Sequence, residues 1–93
     1  MINKLRTDLK KIADPKKAII LQRFFKTGKG DYGEGDVFLG ITVPQSRKIA
    51  LKYKDLPLKN VTKLFQSKIH EERLIALLIL VHNFQHTNEK QKI

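Results

Sequence analysis

Gly28, Gly30 and Gly33 satisfy the pattern G-x-G-x-x-G to the letter. In a dinucleotide site such glycines let the backbone approach a pyrophosphate, but the pattern must follow a strand and open a helix. Here a helical pattern precedes it and further loop residues follow, which argues against that site. No glycine is followed at the required spacing by Lys and then Ser or Thr, so a P-loop is absent as well. What remains is a loop that offers backbone N–H groups and Lys29 to a phosphate, with a plain connector as the alternative.

His70, Glu71 and Glu72 begin like a zinc-protease helix, but position 74 is Leu and the second histidine is missing. His82 and His86 stand four apart, and two histidines do not close a metal site. Cysteine is absent, which removes thiolate chemistry and disulfides together. No nucleophile, base and orienting group are spaced as a catalytic set. Glu71 and Glu72 are expected to serve the N-terminus of the helix they open, where carboxylates oppose the macrodipole. Arg73 is expected to pair with nearby acids or to snorkel. No metal or cofactor is expected.

Charge carries the first functional signal. The 93 residues hold 19 Lys and Arg against 9 Asp and Glu, a net charge of +10. Residues 1–31 contribute +6 of this excess, and the two following thirds +2 each. A field of this sign draws in polyanions such as DNA, RNA or anionic lipid. Lysines dominate the basic residues, which favours contacts to phosphates over forked contacts to base edges. The N-terminus lacks the apolar run of a secretory signal, and the longest apolar run, Leu74 to Val81, is too short to span a bilayer. These features lead to the expectation of a soluble cytoplasmic protein, without a membrane partner.

The elements that must position these groups are helices. Ile2, Leu5, Leu9 and Ile12 form the stripe of a first helix. Asp14 followed by Pro15 reads as an N-cap and first helical residue. The second helix is expected to reach about Lys26, with Ala18, Leu21 and Phe25 on one face and Ile20 and Phe24 beside it. Residues 27–36 hold four of the five glycines and form a loop. Val37 to Ile41 reads as an extended or one-turn entry, with no second strand in view. Val43 and Pro44 start a third helix to about Lys54, with Ile49, Ala50 and Tyr53 inward. Leu58, Val61, Leu64 and Phe65 mark a fourth helix. Ser67 and Lys68 make a tight turn into a fifth, from Ile69 to about Phe84, and a polar, fraying tail follows.

The last two helices make a hairpin of the kind that stacks in helical-repeat arrays. Leu74 to Val81 is apolar on every side and calls for cover all round. That demand, and the end of the chain soon afterwards, lead to the expectation of a piece of a longer solenoid. Self-association through residues 74–84 is the corresponding expectation for the piece alone.

Three stretches, RFFKTGKGDYGEGDVFLGI at 23–41, VPQSRKIALKY at 43–53 and SKIHEERLIALLILV at 67–81, resemble in order and spacing the opening of the DNA alkylation repair family. These are alkylpurine DNA glycosylases built from HEAT-like repeats. The resemblance implies an all-α superhelical fragment of about five helices whose basic concave face holds duplex DNA. It implies removal of purines alkylated at N3 or N7, and a catalytic carboxylate in later repeats. No catalytic residue is therefore assigned within residues 1–93, and the chain alone is expected to be inactive. The resemblance places Thr42 at a helix start on the DNA-facing rim, although Val43 stands where the family commonly has a polar cap. It matches Arg47 to a basic position one turn later, and Tyr32 to the tyrosine of the glycine-rich segment. Lys29, Tyr32, Thr42, Arg47 and Lys48 are thus the candidate DNA-binding residues. The alternative is a helical scaffold or general nucleic-acid-binding module without enzymatic activity.

Overall fold

A computed structural model describes residues 2–24 and 35–91, without the side chains of Phe24 and of residues 86–91. Five helices follow one another: α1 (Ile2–Ile12), α2 (Pro15–Phe24), α3 (Val43–Lys52), α4 (Leu58–Phe65) and α5 (His70–Gln91). The all-helical expectation is met. Most of the loop expected at 27–36 lies outside the described residues, as do Phe25 and Lys26, where the second helix was expected to end.

α3 and α4 both pack on α5, and α1 packs on α3. The core between them consists of Leu5 and Leu9, Ile41, Ala50 and Tyr53, Leu56, Val61 and Leu64, and Ile75, Ala76 and Ile79. The first-helix stripe is the one the spacing dictates, with Leu5 and Leu9 fully enclosed and Ile2 and Ile12 at the margin. Each such aliphatic side chain contributes about 1.5–3 kcal/mol when removed from water.

Asp14 caps α2 as its sequence requires. Its Oδ1 accepts the N–H groups of Lys16 at 3.0 Å and Lys17 at 3.3 Å, and Pro15 lacks the one donor that needs no partner there. α2 nevertheless lies outside the core. Ala18 and Leu21 are half-buried, while Ile19 and Ile20 are exposed.

Three expectations need correction. α3 ends at Lys52 rather than Lys54, because Tyr53 leaves the helix and its N–H closes back on Ile49 and Leu51. In α4 only Val61 and Leu64 are buried, whereas Leu58, in the first turn, is 69% exposed and Phe65 lies at the rim. α5 starts at His70 and continues past Phe84 to Gln91, since nothing in the polar tail breaks a helix. α5 keeps part of its apolar surface uncovered, as expected of this stretch alone: Ile75 and Ile79 are enclosed and Leu78 is half-buried, but Leu77, Val81 and Phe84 face outward.

Val37 resolves the open question about residues 37–41 in favour of extended backbone. Its N–H donates to the Lys68 carbonyl and its carbonyl accepts from His70 N–H, which makes a single parallel bridge to Ile69. Phe38 is buried beside it, stacked on the His70 ring at 4.6 Å. The chain therefore enters α3 pinned against the start of α5.

Candidate nucleic-acid interface

The segment Leu39–Thr42 joins three helix beginnings. Asp14, the cap of α2, donates its N–H to the Leu39 carbonyl at 2.8 Å. Thr42 caps α3. Glu71, in the first turn of α5, turns its carboxylate back onto the segment and accepts three backbone N–H groups. Oε1 takes Leu39 at 3.0 Å, and Oε2 takes Gly40 at 2.9 Å and Ile41 at 3.2 Å. Glu71 is 1% exposed. An isolated carboxylate at that depth would be costly, and three N–H donors offset the lost hydration. Glu71 does stand at the N-terminus of its helix as expected, but its carboxylate serves a distant loop as well.

Gly40 makes this convergence possible. Its φ is +80°, a region that side chains disfavour, and a Cβ there would lie 2.0 Å from the Asp14 carbonyl oxygen. Only a residue without Cβ lets the segment approach the first turn of α2 this closely.

Thr42 forms a complete capping box with Gln45. The Thr42 hydroxyl accepts Gln45 N–H, while Gln45 Oε1 accepts Thr42 N–H at 2.9 Å. Ser46 N–H reaches the Thr42 carbonyl and Pro44 has none to offer. The Thr42 side chain is therefore occupied within its own cap, and Val43 follows it at the exposed first turn of α3. Arg47 and Lys48, one turn on, are exposed and stand outside the ion pairs among the described residues. Lys29 and Tyr32 lie outside the described residues.

The acids face inward. Glu72, 2% exposed, pairs with Arg6 at 3.2 Å. Asp36 pairs with Arg73 at 2.8 Å, so the partner of Arg73 is an acid 37 residues away and neither of the adjacent glutamates, and the same guanidinium donates to the Ser67 carbonyl. Asp8 accepts from Lys52 at 2.8 Å and from the Tyr53 hydroxyl, which ties α1 to the end of α3. The Lys52 ammonium and the Tyr53 hydroxyl hold the Asp8 carboxyl below its ordinary range. The hydrogen bond to Asp8 raises Lys52, and burial together with its own hydrogen bond to Asp8 raises Tyr53. Asp14 caps α2, which leaves Asp55 as the one exposed acid among the described residues.

The cations face outward. Lys4, Lys10 and Lys11 on α1, Lys16, Lys17 and Arg23 on α2, Arg47 and Lys48 on α3, and Lys59 and Lys63 on α4 are all exposed. Lys16 and Lys17 were not singled out in the sequence, although a signal was present. They occupy the first turn of α2, where the macrodipole disfavours cations, beside the Asp14 carboxylate at the cap. Lys17 lines a groove of about 240 Å³ together with Ile20, Leu21, Gly40, Ile41, Thr42 and Val43, so α2 and the start of α3 present one continuous surface.

Among the described residues no group of His, Cys, Asp and Glu is arranged to hold a metal ion, and no helix is long and apolar enough to cross a membrane. His86 lies outside the described side chains. A family model described as DNA alkylation repair enzyme matches residues 5–93. No curated protein and no solved structure matches the chain.

Proposed function

This chain belongs to the DNA alkylation repair enzyme family, and from that premise we propose that residues 1–93 form a DNA-holding portion of a base-excision glycosylase acting on N3- or N7-alkylated purines. The observation that carries this reading is the sorting of charge. Five of the six described acids are half-buried or buried and serve caps, ion pairs or the Glu71 clamp, while the lysines of α1 to α4 other than Lys52 project into solvent. A surface of that kind neutralises phosphates and carries little sequence information. The start of α3 is its centre: Lys17 and Val43 line the groove between α2 and α3, and Lys16, Arg47 and Lys48 are exposed on the same two helices. Thr42 acts there by setting the helix start, since its own hydroxyl is engaged. Lys29 and Tyr32, outside the described residues, are assigned to DNA contact in this reading on the family resemblance alone.

Catalysis is assigned to none of these residues. Glu71 and Glu72 are committed to backbone and to Arg6, and Asp8 to Lys52 and Tyr53. The reading therefore has the portion hold duplex DNA, with the hydrolytic carboxylate supplied from further repeats of a HEAT-like solenoid. The packing of α4 on α5 across a short turn supports such a repeat.

The test is fluorescence anisotropy with a labelled duplex at several salt concentrations. Weak binding that falls steeply with salt and ignores base sequence is expected. Absence of binding in dilute buffer, or salt-independent binding, overturns the proposal.

A second reading rests on the outward row of Leu51, Leu77, Val81 and Phe84, which are 56%, 49%, 43% and 68% exposed. Apolar side chains so grouped mark a docking face. We propose that residues 74–84 carry self-association when the portion is studied alone, whether or not it binds DNA.

A further inference from the structure

The geometry points to Glu71 as a positioning residue for DNA binding: by gripping Leu39, Gly40 and Ile41 it fixes where the start of α3 stands relative to α2. This inference rests on the nucleic-acid reading above. Three observations carry it. The carboxylate is buried, yet both of its oxygens are spent on backbone about thirty residues earlier in the chain. The gripped segment leads directly into the Thr42 cap, so a displacement of Leu39–Ile41 moves Val43 N–H and, one turn on, Arg47. Gly40 lies against the Asp14–Ala18 turn, so the same segment also sets the distance from the α3 start to Lys16 and Lys17. Phosphates along a duplex have fixed spacing, so a surface that meets several at once depends on that distance.

Glu72 provides the comparison. It is buried to the same degree on the same turn of α5, but it grips the Arg6 side chain and not the segment before α3. Loss of either carboxylate costs stability. Only loss of Glu71 releases the α3 start.

The experiment measures duplex affinity against salt for the wild-type chain, Glu71→Gln and Glu72→Gln. The glutamine at 71 keeps one acceptor oxygen but turns an NH₂ group toward the remaining backbone donors. Glu71→Gln is expected to bind several-fold more weakly, with a salt slope shallower by about 0.9 for each phosphate that the variant no longer neutralises. Glu72→Gln is expected to keep the wild-type slope. Equal slopes in all three, or equal weakening in both variants, overturn the inference while leaving the DNA reading intact. A wild-type chain that binds no duplex overturns both. Should Glu71→Gln fail to fold, amide NMR of the wild-type chain decides. DNA-induced shifts at Val43 and Arg47, with slow exchange retained at Leu39, Gly40 and Ile41, support the inference. Faster exchange of those three amides on binding overturns it.

Discussion

The Glu71 carboxylate accepts the N–H of Gly40 at 2.9 Å, across 31 residues of sequence. Gly40 in turn sits so close to the Asp14 carbonyl that a side chain has no room. The two residues connect the beginnings of α5 and α2 through the segment that starts α3, and the stability of that junction is directly measurable.

Gly40→Ala is expected to destabilise the fold by about 2–5 kcal/mol, combining the cost of a left-handed residue with that of forcing a methyl into backbone. Most of a small domain's stability is of this order. Urea unfolding followed by circular dichroism measures it. Gly35 has a positive φ as well, but nothing lies within 4 Å of an added Cβ. Gly35→Ala should therefore cost only the conformational part, about 1–2 kcal/mol.

Ser46 is fully buried, and its hydroxyl has no partner among the described residues. Ser46→Ala is expected to stabilise the chain by about 1 kcal/mol, because it removes a desolvated hydroxyl and introduces a better helix former. A lower midpoint in urea would show that the hydroxyl has a partner in solution, such as a bound water.

The Asp8 carboxyl is held below its ordinary value by Lys52 and Tyr53. A depressed carboxyl contributes stability above the unfolded value, about 3.9, and loses it as pH falls through the lower folded value. Lys52 and Tyr53, both raised, contribute below their unfolded values of about 10 and lose that contribution as pH climbs through their higher folded values. Thermal unfolding of Asp8→Asn across pH should show a smaller fall than wild type at both ends. Parallel profiles would mean that the triad contributes nothing in water.

Arg47→Ala and Lys48→Ala are expected to weaken duplex binding about equally on unrelated sequences, each with a salt slope shallower by about 0.9. Lys16→Ala and Lys17→Ala should behave alike if α2 and α3 share one phosphate-tracking surface. Anisotropy titrations with two unrelated duplexes separate this from base reading, in which a variant would lose affinity for one sequence only.

Salt should act in opposite directions on the two proposed associations. It screens phosphate contacts and weakens DNA binding, and it also screens the repulsion between copies carrying +10 each. Sedimentation at low and high salt should therefore show more self-association at high salt, removed by Phe84→Ser or Leu77→Ser. A monomer at all salt concentrations would leave the outward row of α5 without a role in self-association.

Helices were legible in the sequence because their signals are local. The 3–4–3 spacing of Ile2, Leu5, Leu9 and Ile12 fixes which face of α1 turns inward, and Asp14 with Pro15 marks the start of α2 through hydrogen bonds spanning two or three residues. The net charge, and with it the attraction to polyanions, is likewise a property of composition. What each acid does was decided only by the tertiary structure. Glu71 and Glu72 are adjacent, identical in type, and both plausible partners for a helix dipole. Yet one grips backbone 30–32 residues away and the other grips Arg6, 66 residues away. A carboxylate accepts any donor that packing brings within about 3 Å, and no spacing along the chain records which donor that will be. The outward turn of Leu77, Val81 and Phe84 has the same origin. Their hydrophobicity is written in the sequence, but whether a neighbour covers them depends on where α3 and α4 come to rest on α5.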